Sequence, residues 1–285
     1  MTAVFTPTSL DALWQVLAAH PNALPYAGGT DLLVKRRAGL IDPPALVHLG
    51  RIPALRGIRA EGDWLRLGAG CTHRELLAEP RIRQALPVLA QALATLGSPP
   101  IRAMGTLGGN LCTASPAGDA LPPLYVLDAD TEILGAGGSR RLPIRDFIRG
   151  PGQTALGAGE ILSAVYVRTP PPGSWHHFEK VGLRNALACS LVSLAALIRF
   201  DAERRVAEAR LAWGSVGPTV IRCPAVEGRL LGERLTPAVL AEAAQLARQA
   251  VQPIDDLRAE ADYRRQVAGN LLLRLAGDTQ VERFS

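Results

Sequence analysis

The sequence predicts a soluble globular protein that mixes helices with strands and divides into two parts. Its composition is typical of such proteins, with 48% hydrophobic and 20% charged residues. Along the chain, the spacing of apolar residues changes between the helical period and the alternating period of strands. The run Pro170-Pro171-Pro172-Gly173 is the clearest boundary between the two parts.

The first part is predicted to contain both helices and strands. Thr8 or Ser9 caps a helix whose apolar residues have helical spacing. A short strand over residues 24–27 then leads through a glycine turn into a helix that begins at Asp31. The remaining predicted elements are strands at 46–49 and 64–68, a helix capped by Thr72, a long helix over 83–96, an extended segment after Pro99-Pro100, a hairpin of 132–134 with 141–144, and a strand at 161–167.

The second part is predicted to place strands before helices. Residues 175–178, 191–200 and 208–215 are typical of an antiparallel sheet, although 191–200 also fits a helix. Two helices follow, the first opened by Thr236-Pro237 and the last beginning near Asp262. His176 and His177 are adjacent in a predicted strand and therefore point to opposite faces, which excludes a shared metal ion.

The charge pattern argues against a nucleic-acid-binding surface. The formal net charge is +5, but the 31 basic residues are scattered among 26 acidic ones without a long run. We therefore expect a surface that is solvated or faces another subunit.

The four cysteines and the hydropathy pattern indicate a reducing compartment. The cysteines show no CxxC spacing, so we expect buried free thiols and neither disulfides nor a zinc site. No apolar run approaches the roughly 20 residues that span a bilayer, and the first residues lack a secretory pattern. We expect a cytoplasmic location.

Two glycine-rich segments carry the strongest functional signal, residues 24–33 and 106–119. Glycine lets the backbone approach a phosphate or a flavin closely, and neighbouring Thr, Asn and Ser side chains can donate hydrogen bonds to it. Neither GxGxxG nor GxxxxGK[ST] occurs, so a Rossmann or P-loop site is not supported. Two such segments predict one dinucleotide held between two lobes.

These segments resemble the FAD-binding subunit of the molybdenum hydroxylases, a family that includes xanthine dehydrogenase, carbon monoxide dehydrogenase and 4-hydroxybenzoyl-CoA reductase. The resemblance rests on Ala27-Gly28-Gly29-Thr30-Asp31-Leu32 and on Thr106-Leu107-Gly108-Gly109-Asn110, followed by Thr113-Ala114-Ser115-Pro116 and Asp119. It covers nearly the whole chain.

The resemblance implies an α+β fold. An FAD-binding region of the vanillyl-alcohol oxidase (PCMH) type would span residues 1–170, in two α/β lobes of roughly 1–55 and 56–170. A C-terminal α+β domain, residues 174–285, would carry a three-stranded antiparallel sheet and helices.

The resemblance also implies the residues that bind FAD. The first pyrophosphate loop would be Ala27, Gly28, Gly29, Thr30, Asp31 and Leu32, and the second segment would contribute Thr106, Gly109, Asn110, Thr113 and Asp119. Gly97 and Ser98 would lie near the adenine, Leu162 beside the flavin, and Lys180 where a cation stabilises reduced flavin. Leu162 fits a plain core strand almost as well, and Lys180 equally fits a surface lysine. No catalytic residue, metal ligand or iron–sulfur insert is predicted in this chain.

The implied function is electron transfer within a larger complex. A large subunit with the molybdenum cofactor would oxidise the substrate, and a small subunit with two [2Fe–2S] clusters would pass electrons to FAD on this chain. FAD would deliver them to NAD⁺, oxygen or a quinone. The expected assembly is a heterotrimer, which in this family is commonly dimerised.

Two other functions remain open at this point. One is a self-contained FAD-dependent oxidoreductase of the same superfold, such as a vanillyl-alcohol oxidase type oxidase or a cell-wall precursor reductase. Such oxidases often attach flavin through a histidine near the glycine loop, and residues 27–33 contain none. The other is a non-catalytic basic module that binds nucleic acid or a regulatory nucleotide, which would be colourless.

Overall fold

The computed structural model describes residues 2–184 and 187–281. Within these residues the chain forms fourteen strands. In chain order they are β1 (Ala3–Phe5), β2 (Leu24–Tyr26), β3 (Ala45–His48), β4 (Ile58–Glu61), β5 (Trp64–Gly68), β6 (Asp130–Gly135), β7 (Gly138–Pro143), β8 (Ile148–Gly150), β9 (Gln153–Thr154), β10 (Ile161–Arg168), β11 (Trp175–Val181), β12 (Val192–Phe200), β13 (Val206–Gly214) and β14 (Ile221–Arg222).

The described residues also form twelve α-helices and two short 3-10 helices, Leu49–Arg51 and Pro53–Leu55. The α-helices are α1 (Leu10–Ala19), α2 (Leu32–Arg37), α3 (His73–Ala78), α4 (Pro80–Ala85), α5 (Pro87–Thr95), α6 (Pro99–Met104), α7 (Leu107–Thr113), α8 (Leu121–Val126), α9 (Ile144–Phe147), α10 (Pro224–Leu230), α11 (Pro237–Ala250) and α12 (Ala261–Val281).

The described chain folds into two compact units that are not contiguous in sequence. Unit 1 comprises the described residues up to Pro80, together with Ser98–Ser115 and Asp128–Thr169. Unit 2 comprises Arg81–Gly97, Pro116–Leu127 and the described residues from Pro170 onward.

Unit 1 is built on two main sheets. A parallel sheet has the strand order β1-β3-β2, and an antiparallel sheet has the order β4-β5-β10-β6-β7. A small hairpin of β8 and β9 completes the unit. One core cluster of unit 1 packs α1 onto the parallel sheet, with Leu13, Val47 and Ile52 fully buried.

Unit 2 is built on one antiparallel sheet with the order β11-β12-β13-β14. Helices α10, α11 and α12 share the core of this sheet, which includes the fully buried Trp213. The indole Nε1–H of Trp213 donates to the carbonyl of Ala268 in α12 at 3.1 Å, so the largest core side chain also has its polar atom satisfied.

The local helix-start signals are confirmed by the structure. Ser9, Thr72 and Thr236 each cap a helix by accepting a hydrogen bond from a backbone N–H. Thr72 and Glu75 form a full capping box. The hairpin of β6 and β7 and the strands β10 to β13 also lie where the pattern predicts them, and residues 191–200 form a strand and not a helix.

The predicted long helix over 83–96 is wrong, because Pro87 divides it. The chain forms α4 and then α5, with Pro87 in the first turn of α5. Proline cannot donate the backbone hydrogen bond that a continuous helix would require there. The apolar period continues through the break, which is why the pattern suggests one helix.

The extended segment predicted after Pro99-Pro100 is also wrong. Both prolines lie in the first turn of α6, where their missing N–H groups cost nothing. Ser98 is the N-cap, and its hydroxyl accepts from the Ile101 N–H at 3.3 Å. The second glycine segment is likewise helical, since its first half is α7.

The sheet of unit 2 has four strands where three were predicted. The fourth, β14, contributes only two residues, Ile221 and Arg222, beside β13. A two-residue strand is too short to show an alternating pattern. A third helix, α10, was missed for the same reason, since it has only seven residues.

Two of the four cysteines are not buried as predicted. Cys71 and Cys223 are buried, whereas Cys112 and Cys189 are exposed free thiols. Small neighbouring residues therefore do not ensure burial in this chain. In the part of the chain that the structure describes, no helix combines the length and the apolar character that crossing a bilayer requires.

Candidate cofactor site

The first glycine segment forms a tight turn between β2 and α2. Gly29 has a φ of 69°, a left-handed value that glycine adopts without strain. Gly28 and Thr30 have no positive φ. Among the described residues, the backbone N–H groups of Gly28, Gly29 and Thr30 have no hydrogen-bond partner. Neighbouring free N–H groups around a left-handed residue form a concavity suited to an anion.

Gly28 is required for a close approach of backbone to backbone. A Cβ atom at this position would lie 1.9 Å from the carbonyl oxygen of Met104 and 3.0 Å from the nitrogen of Gly105. The first segment therefore packs directly against the residues that precede the second one. Gly28 is needed for this contact whether or not a ligand is bound.

The backbone N–H groups that open α7 in the second glycine segment are already used. The N–H groups of Leu107 and Gly108 donate to the carbonyls of Cys71 and Ala69, at 2.9 and 2.8 Å. Thr106 is the N-cap of α7 and accepts from Gly109 and Asn110 through its hydroxyl and its carbonyl, both at 3.0 Å. The start of α7 therefore offers a ligand mainly side chains, since the N–H groups of residues 107–110 are all used.

Asn110 presents an unsatisfied acceptor. Its Oδ1 atom is buried and has no hydrogen-bond partner among the described residues. A buried acceptor without a donor is costly and is normally satisfied by protein, water or ligand. Phosphate carries no proton to give at neutral pH, so this oxygen suits a hydroxyl or a ring N–H.

Asp31 joins the two glycine segments. Its Oδ2 atom accepts from the hydroxyl of Thr113 in α7 at 3.3 Å. The same oxygen lies 2.7 Å from the ammonium of Lys35, one turn further along α2. Both charged side chains are about half-exposed, at 47% and 42%.

Asp119 and Lys180 form a buried ion pair in unit 2. Their side chains are 7% and 10% exposed, and Nζ lies 2.6 Å from Oδ2. Burial raises the pKa of the Asp119 carboxyl, although Lys180 and Ser190 oppose that shift. The Ser190 hydroxyl donates to Oδ1 at 2.5 Å, and the Lys180 ammonium also donates to the carbonyl of Thr95 at 3.1 Å.

The other predicted residues have structural roles of their own. Gly97 has a left-handed φ of 51°, and Ser98 caps α6. Leu162 is 5% exposed and lies at an irregularity in the pairing of β10 with β6. Ala27 follows β2, and Leu32 opens α2.

Sequence reasoning missed Lys35, Thr95, Ser190 and His73. A lysine four residues after an aspartate on a predicted helix is a signal that could have found Lys35. Ser190 and Thr95 are far from Asp119 in the chain, so no local pattern points to them. His73 is 2% exposed and packs beside Gly105, and burial, aided by Arg102, lowers its pKa to about 4.

Comparison with known proteins identifies the family. Residues 1–170 match the family described as "FAD binding domain in molybdopterin dehydrogenase", and residues 177–279 match "CO dehydrogenase flavoprotein C-terminal domain".

Curated relatives of similar length agree with this family match. The xanthine dehydrogenase FAD-binding subunit of Escherichia coli O157:H7 is 34% identical, over 90% of this chain and 88% of the relative. The carbon monoxide dehydrogenase medium chain of Hydrogenophaga pseudoflava is 30% identical, over 87% and 86%.

Solved structures share the fold. A chain of carbon monoxide dehydrogenase from Hydrogenophaga pseudoflava superimposes with a TM-score of 0.91 at 29% identity, covering 96% of this chain and 95% of that one. A chain of quinoline 2-oxidoreductase from Pseudomonas putida 86 gives 0.93 at 29% identity, covering 98% and 96%. The chain therefore belongs to the FAD-binding medium subunits of the molybdenum hydroxylases, which are oxidoreductase subunits of multi-subunit complexes.

Proposed function

We propose that the first glycine segment, residues 27–32, binds the pyrophosphate of FAD. The observation that carries the proposal is the set of three N–H groups at Gly28, Gly29 and Thr30 without a partner among the described residues. Backbone N–H groups make charge-assisted hydrogen bonds to an anion, and these are about twice as strong as neutral ones. This turn is preceded by Ala27 and followed by Asp31 and Leu32.

The second segment would bind the part of FAD that carries hydrogen-bond donors. The orphan Oδ1 of Asn110 would accept from a ribityl hydroxyl or from the flavin ring N–H. The hydroxyl of Thr106 can donate in turn, whereas the hydroxyl of Thr113 already donates to Asp31 and would accept from the ligand. Gly109 would lie beside the ligand without a Cβ atom, which at this position would lie 2.9 Å from Thr106 Oγ1. These residues therefore fit a polyhydroxyl chain better than a phosphate.

The remaining assignments of the site follow from the family. Asp119 and Lys180 would contact the flavin, with the ammonium of Lys180 offering its third N–H. Gly97 and Ser98 would lie near the adenine, and Leu162 beside the flavin. The buried charges of Asp119 and Lys180 support their part of this proposal, because apolar residues in place of a buried ion pair are often as stable or more stable, so stability alone does not account for this pair.

When bound, FAD supplies a redox centre that exchanges electrons singly or in pairs. The chain's own residues bind and orient it, keep water from its covered side and supply the fixed charges around it. A small subunit with two [2Fe–2S] clusters and a large subunit with the molybdenum cofactor would complete a heterotrimer, which in this family is commonly dimerised. NAD⁺, oxygen or a quinone would be the final acceptor.

We further propose a cytoplasmic location for the protein and a division of the chain into two domains, residues 1–170 and 174–285.

The visible spectrum of the purified chain tests the proposal. We expect flavin bands without an iron–sulfur shoulder, and release of FAD on denaturation. Co-purification of a tagged chain from its native host then checks for the two partner subunits. A colourless chain that takes up no added FAD would contradict the proposed site.

A further inference from the structure

Lysine is rare in this chain and is placed selectively. The 31 basic residues include only two lysines, Lys35 and Lys180. Each lies within ion-pairing distance of an aspartate of the proposed FAD site, Lys35 at 2.7 Å from Asp31 and Lys180 at 2.6 Å from Asp119. Lys180 is already part of the proposed site, whereas nothing so far assigns a role to Lys35.

The position of Asp31 poses an electrostatic problem. It directly follows Gly28, Gly29 and Thr30, whose free N–H groups are proposed to hold the pyrophosphate. A carboxylate so close to an anionic ligand repels it, and at a half-exposed site this repulsion is only partly screened by solvent. Asp31 is also needed, since it accepts from Thr113 and so joins α2 to α7.

Lys35 is placed to remove this repulsion without breaking the link. It lies four residues after Asp31 on α2, in the orientation that favours an ion pair on a helix. Its ammonium and the Thr113 hydroxyl approach the same carboxylate oxygen, Oδ2. The lysine neutralises the charge, and the threonine fixes the carboxylate in position.

We propose that Lys35 is a positioning residue of the FAD site, which neutralises Asp31 so that this carboxylate can stand beside the pyrophosphate. This inference rests on the proposed function of the first glycine segment. Lys35 acts through Asp31 and not by contact with the phosphates. Removing both charges should therefore restore what removing one of them takes away.

A double-mutant cycle on the full-length apoprotein tests this claim. FAD affinity is measured by the quenching of flavin fluorescence for the wild type, Lys35→Met, Asp31→Asn and the double variant. We expect Lys35→Met to weaken FAD binding about tenfold. We expect the double variant to bind within about twofold of Asp31→Asn, because it contains no uncompensated carboxylate.

Arg37→Met is the matched control. It removes one positive charge from an exposed position on the same helix but leaves the pair of Lys35 with Asp31 intact. We expect FAD affinity within about twofold of the wild type, since the charge of an exposed side chain is screened by solvent and salt. Thermal unfolding of each apoprotein checks that all variants are folded.

Three results would overturn the inference alone. The first is wild-type affinity in Lys35→Met, and the second is a double variant that binds as weakly as Lys35→Met. The third is a loss in Arg37→Met equal to that in Lys35→Met, which would show that the overall charge of α2 decides the affinity. A wild-type chain that binds no FAD would overturn the proposed function, and this inference with it.

Discussion

The Nζ atom of Lys180 lies 2.6 Å from the Oδ2 atom of Asp119, and both side chains are at least nine-tenths buried. The two residues are 61 positions apart in the chain. Ser190 donates to the other carboxylate oxygen, so both oxygens of Asp119 are held. Two residues that the sequence suggested separately as cofactor contacts are thus a single ion pair within unit 2.

We expect Lys180→Met to destabilise the chain strongly. It leaves the Asp119 carboxyl buried without its cation, and breaking one partner of a buried pair costs about 3–5 kcal/mol. Urea unfolding of the apoprotein measures the loss. The double variant Asp119→Asn with Lys180→Met should recover most of it, because it leaves no buried charge. A loss below about 1 kcal/mol in the single variant would indicate a solvated pair.

Gly28→Ala should be poorly tolerated even without a ligand. The added Cβ atom would lie 1.9 Å from the carbonyl oxygen of Met104, so the backbone must move. We expect the free energy of unfolding to fall by about 1–3 kcal/mol, as for overpacked cores. FAD affinity should fall too, since the two glycine segments would separate.

Gly228→Ala is the matched control for that substitution. Gly228 lies in α10, and a Cβ atom there would meet nothing within 4 Å. Alanine should stabilise this helix by about 0.5–1 kcal/mol relative to glycine. Equal losses of stability in the two variants, measured by urea unfolding, would refute the steric explanation.

The burial of His73 predicts a loss of stability in acid. Its pKa is lowered from 6.5 to about 4, chiefly by burial and further by Arg102. A group whose pKa is lower in the folded state contributes stability that is present above its unfolded pKa and lost as the pH falls toward its folded pKa. Between pH 7 and pH 4.5 the loss from His73 should be about 2–3 kcal/mol.

The variant His73→Leu should make this part of the pH profile less steep, by the share that His73 contributes. Leucine does not bind a proton. The substitution breaks no hydrogen bond of the His73 Nδ1 atom, since that atom has no partner among the described residues. His20→Gln, which changes an exposed histidine, should keep the wild-type slope. Urea unfolding at several pH values measures both, and identical slopes for His73→Leu and the wild type would contradict the assignment.

How much of the fold the sequence predicts depends on the distance over which each signal acts. Ser9, Thr72 and Thr236 were predictable as caps because the partner N–H group lies three residues away. Pro99 misled the prediction, because a proline either ends a helix or opens one and the cap at Ser98 decides which. Residues next to one another in sequence thus specify the elements well and their junctions less well.

The residues of the candidate site were also predictable where the signal is local, and the contacts between distant residues were not. The glycines of both segments are visible in the sequence, and the resemblance adds Asp119 and Lys180. The sequence does not show that Thr106 already caps Gly109, or that Ser190 holds Asp119, because these facts depend on packing between distant residues. Nor does it show that the N–H groups of residues 107–110 are already used within the fold, whereas those of Gly28, Gly29 and Thr30 have no partner among the described residues.

Asn110→Leu should separate ligand binding from folding more cleanly than any other change. The Oδ1 atom of Asn110 is buried without a partner among the described residues, so replacing it breaks no hydrogen bond of that atom. The apoprotein should keep its stability or gain some, because an unsatisfied buried acceptor costs about 1–3 kcal/mol. FAD affinity should nevertheless fall by roughly tenfold or more, because the ligand loses one buried hydrogen bond.

Asn270→Ala provides the control for Asn110→Leu. Asn270 accepts from Arg248 at 2.9 Å in unit 2, so its replacement breaks a hydrogen bond between α11 and α12. We expect a small loss of stability and unchanged FAD affinity, the reverse of the Asn110 result. Both quantities are measured on the same apoprotein, by urea unfolding and by quenching of flavin fluorescence. If Asn110→Leu instead loses stability and keeps its FAD affinity, Asn110 serves the fold, and the donor-bearing part of FAD must be bound by other residues.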